Sequence, residues 1–342
     1  MDAFDIIEKL PQGLLEVETC ELTRVCPRPT LIELYPAGGA CRNAAMFVSI
    51  TQHGNEDAGL LAIQQFFRLC SPEQLTRPFK IFVANVEATR HGVRYTDSQV
   101  DFNRSWPGTD QRSNAIQQML AEIYKRVASE PLHASIDIHN NTGRNPHYGC
   151  ICSLNALHLN LASLFSDRLI YFTRPRGVQT QAFMDLCPSV TLECGRIGEL
   201  EGAHFAARML DKCMRTEEFA SIQEGRKLDV MRTCARIQVR EGCTVGFESG
   251  ADIVLREDID LLNFRKIPAG EPIGRLAKQL DRCIAVLDSD GNDVTSHFVN
   301  DSMGELRFER SVTPSMLTKD LRVMRQDCLG YLMDQVNGAD FP

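Results

Sequence analysis

Over its first two hundred residues the chain alternates between strand-like and helix-like segments. That alternation limits its possible folds more than any other feature. "AAMFVSIT" (44–51) is an apolar, β-prone run, and "DAGLLAIQQFFRLC" (57–70) follows with helical patterning. "FKIFVANV" (79–86) reads as a strand. "SNAIQQMLAEIYKRVAS" (113–129) places Ile116, Met119, Leu120, Ile123 and Val127 at helical spacing. "HASIDIH" (133–139) and "SVTLECG" (189–195) are strands, and "GELEGAHFAARMLDKCM" (198–214) is a helix. Strands separated by helices belong to an α/β layer, a mixed and largely parallel sheet flanked by helices.

The patterning changes near Glu224. "TCARIQVR" (233–240), "ADIVLRED" (251–258) and "RCIAVLD" (282–288) are strand-like, separated by turns such as "PAGEPIG" (268–274). The expected organisation is an α/β domain over 1–227 and a smaller β-rich domain over 228–342, reasonable for 342 residues. "DSDGND" (288–293) has calcium-loop residue types, but its glycine comes too early and no glutamate closes it. It reads as a hairpin turn.

A net charge of −8 and the lack of a Lys/Arg run argue against a nucleic-acid partner. No stretch approaches the roughly 20 apolar residues of a membrane span. "MDAFDIIEKLPQG" lacks the basic start and apolar centre of a signal peptide. The 13 cysteines are odd in number, scattered and without a Cys-x-x-Cys pair. They read as reduced thiols of a cytoplasmic protein.

"SITQHGNEDAGLLAIQQFF" (49–67) turns from strand to helix, with His53 and Glu56 three residues apart at the corner. They are either two ligands of a metal ion or polar residues at a turn. His139 ends a second strand and precedes "NNTG". Ligands collect at the carboxyl ends of strands in open α/β sheets, so His53 and His139 could share one edge. His91 is the other histidine of interest. Asp137, on the same strand face as His139, could orient it or play a structural part. Glu193 lies among strand residues, where burying a carboxylate is costly. It is a candidate base, or one half of an ion pair. In "RHGVRYTDSQVDFNRSWPG" (90–108), Asn103 and Arg104 could grip a carboxylate, and a further arginine could polarise a carbonyl. An ordinary charged surface loop is the alternative.

"HGNE", "DFNRSWPG", "DIHNNTG" and "TLECG" occur in the order and approximate spacing of one family. The chain resembles the succinylglutamate desuccinylase/aspartoacylase group of the zinc carboxypeptidase superfamily. The resemblance covers about residues 30 to 215, and the later segment looks like the family's β-rich C-terminal domain. It implies one zinc ion per chain held by His53, Glu56 and His139, with Glu193 as the base. It further implies that Asn103 and Arg104 hold a substrate carboxylate and that Arg94 polarises the scissile carbonyl. The step from Arg94 to the Asn-Arg pair is two residues longer than the family's. Arg174 and Arg176 lie upstream of the base, with Phe183 where an arginine would be sought, which weakens a strict N-acetylaspartate specificity.

The resulting expectation is a zinc-dependent hydrolase cleaving the amide bond of an N-acyl amino acid or related small acid. A metallocarboxypeptidase acting on a peptide is the runner-up. A non-catalytic metal- or carboxylate-binding module on the same fold is a reading of another class. The expected partner is the small-molecule substrate, with no nucleic acid and no membrane, and a homo-oligomer is left open.

Overall fold

The computed structural model describes residues 3–36, 43–219 and 227–336. The chain forms two compact units. Among the described residues, one contains those up to 140 together with those of 147–229, and the other contains 141–146 with 230–336. The change of patterning expected near Glu224 lies outside the described residues.

The first unit is a mixed α/β layer. Its strands are β1 (Asp5–Ile7), β2 (Thr30–Leu34), β3 (Ala45–Ile50), β4 (Phe79–Val83), β5 (Leu132–Asn141), β6 (Tyr148–Ile151), β7 (Arg168–Tyr171) and β8 (Ser189–Arg196). They lie side by side in the order β1-β2-β4-β3-β5-β8-β6-β7. β1/β2, β3/β4, β3/β5 and β6/β7 pair in parallel, whereas β2/β4 and β6/β8 are antiparallel. Every residue of β2, β3 and β4 is buried, as expected of strands covered on both faces.

The helices are α1 (Ala58–Leu69), α2 (Val86–Thr89), α3 (Ala115–Val127), α4 (Ala156–Ser163), α5 (Gln179–Phe183) and α6 (Leu200–Arg215). α3 starts at Asn114, whose side chain accepts a hydrogen bond from the Gln117 N–H at 3.0 Å. It buries Met119, Leu120, Ile123 and Val127, the stripe expected from its spacing, while Ile116 is partly buried. The strand expected over 79–86 is shorter than that, because the Asn85 side chain caps α2 and turns the chain out of the sheet after Val83. α6 packs on α1 and lies directly on β8. A Cβ at Gly202 would stand 1.9 Å from the Cys194 carbonyl oxygen, so only glycine permits that approach.

In the second unit β9 (Asp229–Val239) pairs antiparallel with two later strands, given below. β10 (Val245–Gly246), β11 (Ile253–Leu255) and β12 (Pro272–Leu276) follow, then β13 (Ile284–Asp288), β14 (Val299–Ser302), β15 (Glu305–Phe308), β16 (Thr313–Ser315) and β17 (Gly330–Gln335). β13 and β17 are the partners of β9, β16 pairs with β17, and a second sheet runs β10-β11-β12-β15-β14. Ile237, Ile253, Ile284, Val286, Phe308 and Leu332 lie in their common core. The strand expected over 251–258 is realised only at Ile253–Leu255, and a 3-10 turn over Ile259–Leu262 follows it. Residues 288–293 make a turn in which the Asp288 carboxylate accepts from the Asp290 and Asn292 N–H groups, each at 2.9 Å.

Gly202→Ala is expected to destabilise the protein by about 2–3 kcal/mol, because neither the helix nor the β8 backbone can move away cheaply. The midpoint of denaturant unfolding measures it.

Candidate metal centre

Parallel pairing of β3 with β5 sets Ser49 opposite Asp137 and brings both strands to one edge with the same polarity. Past the end of β3, Thr51 adopts a left-handed conformation at φ 55°. That is a costly geometry for a β-branched residue, and such strain gathers at functional corners. Gln52 and His53 follow. A Cβ at Gly54 would lie 2.2 Å from the Ala88 carbonyl carbon, so this position must be glycine for His53 and Glu56 to close on each other.

The start of α1 has no cap from its own side chains. Asn140 supplies one from β5. Its Oδ1 accepts from the Asp57 and Ala58 N–H groups at 3.0 and 2.8 Å. Its Nδ2 donates to the Gly195 and Arg196 carbonyls at 3.3 and 3.2 Å. One buried amide therefore fixes the ends of β5 and β8 against the first turn of α1.

The Glu56 carboxylate lies between two imidazoles. Nδ1 of His53 is 2.8 Å from Oε1, and Nδ1 of His139 is 2.7 Å from Oε2. The Asn140 N–H adds a third bond to Oε2 at 3.2 Å. Each imidazole turns its Nε2 to a buried aspartate: Asp101 Oδ1 at 3.2 Å for His53, and Asp137 Oδ2 at 2.8 Å for His139. The pattern continues outward. Ser49 Oγ donates to Asp137 at 2.6 Å, Gln52 Nε2 donates to Ser49 at 3.3 Å, and Trp106 Nε1 donates to Gln52 Oε1 at 2.7 Å.

Electrostatics follow from this packing. Burial pushes Glu56 up, but the two imidazoles outweigh it and hold the carboxyl below its ordinary range. Burial also pushes Asp101 up, and Arg94 and His53 more than reverse it. His139 moves the other way. Burial disfavours its charge, yet Asp137 and Glu56 together raise it well above its ordinary value.

Arg94 donates to Asp101 Oδ2 through Nε at 3.0 Å and a terminal nitrogen at 2.8 Å. It is therefore attached to the aspartate that backs His53. Asp101 also caps the short 3-10 turn Phe102–Arg104, accepting from the Asn103 N–H at 2.8 Å. Asn103 is buried, with its Nδ2 at 3.4 Å from His139 Nε2, and Arg104 is half-buried. Glu193 lies on β8 opposite Tyr148 of β6 and is buried. The Cys150 and Cys194 thiols beside it are held far above their ordinary range, by burial first and then by its charge. His91 is exposed and stands outside the group.

Phe183 is part of the core, packed on Phe47 at 5.1 Å and Tyr124 at 5.0 Å between ring centroids. An arginine there would bury a charge among aromatic rings. Arg174 and Arg176 pair instead with Asp110. Their loop is pinned beside Arg104: the Trp106 N–H donates to the Gly177 carbonyl at 3.0 Å, and a Cβ at Gly177 would lie 2.4 Å from the Arg104 oxygen. Sequence reasoning did not identify Asp101 or Asn140. The "D-x-N-R" and "H-N-N" contexts hold their only signal, and neither residue's partner is near it in sequence.

Nitrogen and oxygen donors of His53, Glu56 and His139 lie within 4.8 Å of one another, the only such group among the described residues. Two imidazoles and a carboxylate form a donor set that suits zinc with a position left for water, and carboxylates behind the histidines are the usual support. With neutral imidazoles, the buried carboxylates of Glu56, Asp101 and Asp137 leave the centre negative even with Arg94 and Arg104 acting on Asp101, which favours a bound cation. The residues fit the metal.

Residues 43–207 match the family model described as the succinylglutamate desuccinylase/aspartoacylase catalytic domain. Comparison with curated protein sequences finds no match. Among solved structures, the chain is similar to a succinylglutamate desuccinylase/aspartoacylase from Rhodobacter sphaeroides, at 17% identity and TM-score 0.57, over 86% of each chain. It is similar to the succinylglutamate desuccinylase from Chromobacterium violaceum at 15% identity and TM-score 0.60, over 96% of this chain and 99% of the other. Murine aminoacylase 3 matches at 17% identity and TM-score 0.51, over 86% of this chain and 95% of the other. At these identities the structures establish the shared fold. No helix among the described residues is long and apolar enough to cross a membrane.

Asp101→Asn and Asp137→Asn are each expected to weaken zinc binding about 10–100-fold, measured by competition with a chelating dye. Zinc binding near neutral pH is also expected to release protons, since the metal-free centre holds His139 charged. The charge is present below the raised pKa and is lost as pH rises through it, so affinity climbs with pH over that range. Titration calorimetry in buffers of different ionisation enthalpy reads the released protons.

Proposed function

We propose, from the premise that residues 43–207 belong to the succinylglutamate desuccinylase/aspartoacylase family, that the protein is a zinc-dependent hydrolase of N-acyl amino acids or related small carboxylates. The observation that carries this reading is the buried His53–Glu56–His139 donor set with an aspartate behind each histidine. Bound zinc would supply Lewis acidity, lowering the pKa of a water and drawing charge from the carbonyl under attack. The rest falls to the chain's own residues.

In this reading His53, Glu56 and His139 hold one ion per chain, and Asp101 and Asp137 keep each Nδ1 directed at it. Glu193 takes a proton from the attacking water and returns it to the departing amine. Its place within a strand limits its movement between the two transfers. Asn103 and Arg104 hold the substrate carboxylate. Arg174 and Arg176, on the loop pinned beside Arg104, add positive charge there, which favours an anionic substrate despite the protein's net charge of −8. Arg94 polarises the scissile carbonyl, with its guanidinium aimed by Asp101. The bond cleaved is a linear amide.

Two substitutions separate these roles. Glu193→Gln is expected to lower kcat about 10²–10⁴-fold on a panel of N-acyl amino acids while about one zinc per chain stays bound. Arg104→Met is expected to raise KM roughly 10–100-fold with metal content unchanged. Loss of zinc in Glu193→Gln would move that residue from the base to the support of the metal.

A further inference from the structure

We propose that Cys243 and Cys283 are a modification site that closes to an intramolecular disulfide on exchange with a small-molecule disulfide. Their sulfurs lie 3.0 Å apart, closer than unbonded sulfurs ordinarily approach. The segments that carry them are held by backbone bonds. β9 and β13 pair antiparallel up to Val239 opposite Ile284, and the Arg240 N–H then donates to the Cys283 carbonyl at 2.8 Å. Arg240 Nε adds a bond to the Ile284 carbonyl at 3.1 Å, and the Cys243 N–H donates to the Arg240 carbonyl at 3.2 Å. Closing from this separation to a bond of about 2.05 Å requires an approach of roughly one ångström.

Access is asymmetric in a way that suits exchange. Cys243 is partly exposed, whereas Cys283 is fully buried. In the reduced state the Cys243 thiol donates to the Arg282 carbonyl at 3.1 Å. The Lys278 ammonium, paired with Asp252 at 2.9 Å, lies within electrostatic reach of both sulfurs. A metal site is the competing reading of two adjacent cysteines. Among the described residues, however, no third His, Cys, Asp or Glu donor completes a set around them.

The exchange balances in two steps. The Cys243 thiolate attacks a sulfur of the reagent RSSR, forming a mixed disulfide and releasing RS⁻, which takes up the proton Cys243 gave. Cys283 then loses its proton to solvent and attacks the Cys243 sulfur, releasing the second RS⁻. Two protein thiols are oxidised by two electrons and RSSR is reduced to two RSH. The bond encloses β10, β11 and β12 and restrains the unfolded chain across that segment.

The test is to treat the full-length protein with oxidised glutathione, then count thiols after denaturation and map disulfide-linked peptides. Loss of the Cys243 and Cys283 thiols together, a Cys243–Cys283 cross-link and a higher Tm reversed by dithiothreitol are expected. Cys283→Ser is expected to stall at the Cys243 mixed disulfide. Should that buried substitution prevent folding, Cys243→Ser serves instead and is expected to leave the Cys283 thiol free. A protein that keeps all its thiols under glutathione, stops at the mixed disulfide with Cys283 present, or links either cysteine elsewhere would overturn the proposal.

Discussion

The first unit depends on one buried carboxylate. Glu56 lies between His53 and His139, and an ionised carboxyl at that depth is tolerated only where its oxygens are satisfied. Satisfying them brings together the end of β3, the start of α1 and the end of β5. The Asn140 amide, from the end of β5, ties the start of α1 to the end of β8. The left-handed Thr51 and the obligatory Gly54 are local costs of bringing a strand and a helix to that one point.

Support for the centre extends well beyond its donors. Asp137 is oriented by Ser49, which bonds Gln52, which in turn accepts from Trp106. Trp106 is fully buried against Phe47, Phe82 and Phe183. Polar order at the candidate metal centre thus rests on aromatic packing, and Phe183 belongs to that packing. On the other side, Asp101 serves His53, Arg94 and the turn carrying Asn103 at once. A change at Asp101 would disturb metal support and the proposed substrate contacts together.

Much of this was legible in the sequence, for physical reasons. α1, α3, α6, β3 and β8 carry apolar periodicity strong enough to place them within a residue or two. His53, Glu56 and His139 could be grouped because strand ends in an α/β sheet share an edge, and parallel β3/β5 pairing realises that edge. Asp137 was legible too, since it lies two residues from His139 on the same strand face. Other features depend on partners far away in the chain. Nothing local reveals that Asn140 caps a helix more than eighty residues upstream, or that Asp101 reaches His53. The inclusion of residues 141–146 in the second unit has no local signal either. Gly143 meets the Leu317 carbonyl, and the Asn145 amide accepts from the Met316 N–H at 3.0 Å. The strand expected over 79–86 ends early because capping by Asn85 starts α2 there and overrides β propensity.

The most direct measurement is anomalous diffraction at the zinc absorption edge from crystals of the zinc-loaded protein. One strong peak per chain is expected, coordinated by Nδ1 of His53, the Glu56 carboxylate and Nδ1 of His139, with Asp101 and Asp137 on the far ring nitrogens. A peak elsewhere, or none at this position while His53 and His139 stay bonded to Glu56, would contradict it.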